Sequence, residues 1–89
     1  MTFQERYYQE RTWHAKVMVM EIFHLAMTQR EPDWTLTKTA REFGVSVGLV
    51  SENLRLALLI HANEKVLSCN TRQDALRKLS VNRNEQTDH

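Results

Sequence analysis

The chain has 89 residues, enough for one small domain with a thin stability margin. Hydrophobic residues at 42% and charged residues at 26% are ordinary for a globular protein, and two glycines with one proline favour an all-α fold. The single cysteine, Cys69, excludes an intrachain disulfide, no apolar run is long enough to cross a bilayer, and a polar start, MTFQERYYQE, lacks a signal peptide, so a cytoplasmic location is expected.

Thr2 and Glu5 form a capping-box pair, which starts a helix near Phe3. Nothing obvious stops it before Pro32, so it runs to about Gln29, with Arg11 to Trp13 as the place for a break. Trp13, Val17, Met20 and Met27 form one apolar stripe; Ala15, Met18, Val19, Ile22, Leu25 and Ala26 form the adjoining one. Together they are wider than one ordinary helix face. This helix therefore lies under the others as the central core element, or part of it meets a second chain. Arg30 to Trp34 is a turn, because Pro32 disfavours helix at Glu31, and Trp34 folds back as an anchor.

Thr35 is an N-cap for a helix from about Leu36 to Phe43, with Leu36, Ala40 and Phe43 on one face. Ala40 leaves room for a close helix crossing. Gly44 supplies the left-handed conformation that ends a helix. Val45 tucks between the helices, and Ser46 caps a second helix from about Val47 to Ile60. Its inward face is Val50, Leu54, Ala57 and Leu58; its outward face is Ser46, Val47, Gly48, Ser51, Glu52 and Arg55. His61 to Asn63 connects to a short helix, Glu64 to Cys69, with Val66 and Leu67 inward. Thr71 and Asp74 cap a last helix, Arg72 to about Ser80, which buries Ala75, Leu76 and Leu79. Residues 82–89, NRNEQTDH, contain nothing apolar and read as a polar tail or the start of a linker after a domain at 1–81. The expected fold is a small all-α bundle of about four to five helices containing a helix-turn-helix.

That motif occupies Trp34 to Leu58, WTLTKTAREFGVSVGLVSENLRLAL. A support helix, a short turn with Gly and a second helix form the arrangement that puts a recognition helix in the major groove. The segment TKTAREFGV, with Val50 further on, resembles the helix-turn-helix of lambda Cro-type repressors. The longer segment, especially VSENLRLA, is similar to that of ParB-type partition proteins, and TRQDALRKL resembles phage and mobile-element DNA-binding domains. Such domains occur in replication initiators, repressors and DNA-directed nucleases. The resemblance covers about a third of the chain and implies binding to double-stranded DNA, in a phage or mobile-element replication initiator or a transcriptional regulator.

The formal charge of +1 hides an asymmetry. Residues 1–35 balance to −1, residues 36–83 to +4, and the remaining residues to −2, so positive charge gathers on the motif and after it. Ser46, Val47, Gly48, Ser51, Glu52 and Arg55 are the candidate base contacts. Arg55 suits guanine, Glu52 a cytosine amino group, and Val47 a thymine methyl; Gly48 permits close approach. Glu52 could instead orient Arg55 or repel phosphates at wrong sites. Thr35, Thr37, Lys38, Arg41, Arg72, Arg77 and Lys78 are the candidate phosphate contacts. One such motif reads few base pairs, so a homodimer or several sites in a row would supply specificity. The rival reading is a protein-interaction module that uses the apolar first helix, with the helix-turn-helix as scaffold. An enzyme is not expected: no carboxylate cluster, His pair or phosphate loop is present. No metal, cofactor or small-molecule substrate is expected, since His14, His24, His61, His89 and Cys69 lack zinc-site spacing and Cys69 reads as an ordinary thiol.

Overall fold

A computed structural model describes residues 1–87. They form five α-helices and a short 3₁₀ helix: α1 (Phe3–Gln9), α2 (Trp13–Arg30), α3 (Leu36–Phe43), α4 (Val47–Ala62), η1 (Glu64–Ser68) and α5 (Arg72–Thr87). No strand is present among the described residues. Each α-helix begins on a hydroxyl. Thr2, Thr12, Thr35, Ser46 and Thr71 accept the backbone N–H three residues on, at 3.1, 3.3, 3.2, 3.1 and 3.2 Å. These bonds satisfy donors that a helix start leaves unpaired.

The long first helix of the sequence reading is two helices. Glu10 ends α1 with its N–H on Arg6 O, and Thr12, in extended conformation, caps α2. α4 runs to Ala62, two residues beyond the expected end, and Asn63 caps η1. α5 continues to Thr87 where residues 82–87 read as a tail: the segment lacks apolar residues, but it also lacks Gly and Pro, so nothing local stops the helix. The expected tail positions Asp88 and His89 lie outside the described residues.

α2 and α4 are the spine, since both contribute to each of two core clusters. One cluster joins Val19, Met20 and Phe23 of α2 and Val50 of α4 to Tyr7 of α1 and to Ala40 and Phe43 of α3. The other joins Val17 of α2 and Leu56, Ala57, Leu59 and Ile60 of α4 to Val66 of η1 and Ala75 of α5. Phe23 meets Phe43, Phe3 and Trp34 edge-on, with ring centres 5.1, 5.7 and 6.1 Å apart.

The stripe from Trp13 to Met27 packs inward as expected, but much of the adjoining stripe does not. Ile22 and Leu25 are 51% and 52% exposed, and Ala26 is exposed beside them. α2 turns Phe23 into the core, and among the described residues no helix covers the other side. On α4 the buried face is Val50, Asn53, Leu56, Ala57, Leu59 and Ile60; Leu58, expected inward, is 66% exposed. In η1 Val66 is buried as expected, whereas Leu67 is exposed.

Candidate nucleic-acid interface

α3 and α4 cross at 103° across three residues, Gly44 to Ser46. Both values fall in the range of helix-turn-helix pairs. The turn is locked by backbone. Gly44 adopts φ 69°, ψ 35°, its N–H reaches Arg41 O at 3.3 Å, and Val45 N–H reaches Ala40 O at 3.0 Å. This is the Schellman arrangement, which pairs the last carbonyls of α3. Val45 packs against the core beside it. From α1, Tyr8 donates its hydroxyl proton to Phe43 O, and Gln4 donates to Glu42 at 3.0 Å. α1 therefore clamps the end of α3 next to the turn.

The start of α3 is fixed by a buried hydroxyl. Trp34 Nε1 donates to Thr39 Oγ1 at 2.8 Å, and His24 Nδ1 lies 2.7 Å from the same oxygen. Thr39 is fully buried. Having accepted the indole proton, its hydroxyl has its own proton to give to Nδ1, which suits neutral His24 protonated on Nε2. Burial also lowers the His24 pKa below its usual 6.5. Trp34 thereby closes the turn begun at Glu31, whose carbonyl accepts its N–H at 2.9 Å.

With its opposite face in the core, α4 presents Val47, Gly48, Glu52 and Arg55 to solvent, with Ser51 half-buried among them. Ser46 is exposed, but its oxygen is used as the cap. A Cβ on Gly48 would meet nothing nearer than Ser46 Oγ at 3.9 Å, so packing within the chain does not require glycine there. Arg55 has no hydrogen bond or ion pair among the described residues, whereas Glu52 pairs with Arg72 at 3.0 Å. No acidic residue lies in the first turn of α4, so its positive dipole end stays uncompensated.

The phosphate candidates separate into two groups. On α3, Thr37 and Arg41 are exposed; Thr35 is the cap, and Lys38 holds its ammonium 5.6 Å from the Trp34 ring centre. On α5, Lys78 is exposed and Arg77 pairs with Asp74 at 3.5 Å. Arg72 turns inward, its Nε donating to Asn53 Oδ1 at 2.9 Å, and so ties the start of α5 to α4. Asn53 is buried and also donates to Met20 Sδ at 3.3 Å. Sequence reasoning missed this hub, although the spacing Val50, Asn53, Ala57, Ile60 puts Asn53 on the buried stripe.

No protein-family model, curated protein or solved structure matches this chain.

Proposed function

We propose that the chain binds double-stranded DNA in a sequence-dependent manner, with the first turns of α4 in the major groove. The carrying observation is the locked crossing of α3 and α4, which leaves the start of α4 exposed with an unengaged arginine and a glycine that its own packing does not need. Arg55 reads guanine, and Val47 touches a thymine methyl. Ser46 and Ser51 offer hydroxyl donors, and Gly48 lets the backbone approach the groove wall. Glu52 shares Arg72 and keeps a second carboxylate oxygen for a cytosine amino group. Thr35, Thr37, Lys38 and Arg41 hold the phosphates beside α3, while Arg77 and Lys78 reach a flank. The biological setting that fits is origin or operator recognition in a phage or mobile element. Selection of bound sequences from a random duplex pool tests the reading: enrichment of one short motif is expected, and an unenriched pool would sink it.

A second reading is favoured by the apolar residues that α2 leaves uncovered. Ile22 and Leu25 offer a surface to another protein or to a second copy of the chain. Binding of labelled random duplex at low salt separates the readings, since a pure interaction module retains none.

A further inference from the structure

Where α1 ends and α2 and α5 begin against α4, next to Glu52, lies a cleft of about 280 Å³. Arg11, Lys16 and Arg72 line it, with Tyr7 and Trp13 as aromatic walls and Asn53 beside them. Among the described residues no carboxylate belongs to the lining. Glu52 reaches Arg72 from outside it, and the nearby Glu10 pairs with Arg6. Arg11 and Lys16 have no ion pair among the described residues. Lys16 is held in place with its ammonium 5.6 Å from the Tyr7 ring centre, and Asn53 and Glu52 fix the Arg72 guanidinium. The 18-residue α2 starts at this cleft with no acidic residue in its first turn. Two cations without an ion pair, Arg11 and Lys16, thus share one cleft with the Glu52-bound Arg72 and the start of a helix, an arrangement that attracts an anion. Arginine forks beside an ammonium suit a phosphoryl group in particular. The concavity has room for more than a bare anion.

We propose that this cleft is a binding site for a phosphate-bearing ligand, either a free phosphate ester or a backbone phosphate of nucleic acid. It does not depend on α4 reading DNA. The Trp13 indole N–H, bonded to Cys69 O at 2.8 Å, reports on the cleft wall, while the Trp34 indole N–H reports on folding in the other core cluster. The test is a ¹⁵N NMR titration of the whole chain with inorganic phosphate and with glycerol 3-phosphate at constant ionic strength. A saturable shift of the Trp13 indole is expected, absent with chloride and at least tenfold weaker in Arg11→Gln/Lys16→Gln. A non-saturable shift, or one unchanged in a variant whose Trp34 indole keeps its position, would overturn the site. If the double variant loses the Trp34 signal, Arg11→Gln alone stands in, because Arg11 is exposed between helices, and a severalfold weakening is expected. A second arm identifies the source. If random-duplex affinity falls in the double variant and the salt slope flattens by about two units, the phosphate is nucleic-acid backbone. If duplex binding is unchanged while glycerol 3-phosphate still saturates the parent chain, it is a free ester.

Discussion

A Cβ at Gly48 fits the free protein, and alanine is the better helix former. Gly48→Ala should therefore stabilise the fold by about 0.5–1 kcal/mol in urea unfolding while weakening DNA binding. At Gly44, with φ 69°, the same change should cost about 1–2 kcal/mol, because an L side chain is strained there. Equal effects at the two positions would contradict the division of roles. Arg55→Ala should weaken specific binding by about 1–3 kcal/mol and relax preference at one base position. Arg41→Ala, exposed on α3, should weaken all duplexes alike and flatten the salt slope by about one unit; competition binding at several salt concentrations distinguishes the two. His24 adds a pH dependence. Its folded pKa lies below its usual 6.5, so the unfolded chain binds the proton more readily and stability rises with pH through that window. The contribution is present above about pH 6.5 and is lost as the pH falls toward the folded value. Urea midpoints at pH 7.5 and 5.5 should differ more for the parent chain than for His24→Gln.

The elements follow local chemistry closely where that chemistry is enough. Thr35, Gly44 and Ser46 mark the α3–turn–α4 unit because capping and left-handed turns depend on residues within a few positions of one another. Thr12 carries the same kind of signal, yet no Glu stands three residues later to complete a capping box, and the break between α1 and α2 was legible only as a place where one could fall. Periodicity shows that two stripes of α2 are apolar, but not which one another helix covers. That depends on Phe23 meeting Phe43 and Trp34 edge-on, contacts between residues well apart in sequence. The exposed outer face at the start of α4 was legible in the same local way, whereas the turn of Arg72 toward Asn53 was not, because it joins positions 19 apart. This bond makes its own prediction. Arg72→Ala should cost about 1–3 kcal/mol, since it leaves the buried Asn53 Oδ1 unpaired, whereas the bond lost in Asn53→Ala should cost less, since Arg72 is partly exposed and keeps Glu52. The double variant should fall well short of the sum in a denaturation cycle, and full additivity would show that the two act separately.

At the scale of the molecule, the proposed use of α4 as a single recognition helix would contact few base pairs, so high specificity would call for two copies on a palindromic site or for repeated sites. If the second copy docks through α2, Ile22→Glu/Leu25→Glu should leave the one-copy complex on a half-site intact and abolish the two-copy complex, as read by sedimentation with labelled duplex. A two-copy complex that survives the change would remove α2 from that contact. The division of the core has a dynamic consequence. Among the described residues only α2 and α4 contribute to both clusters, so the η1–α5 end is attached to them by a separate set of contacts. Amide hydrogen exchange should then occur in steps: α5 opens first, by a sub-global event that spares α3 and the turn, while central α2 and α4 amides exchange only when the whole chain unfolds.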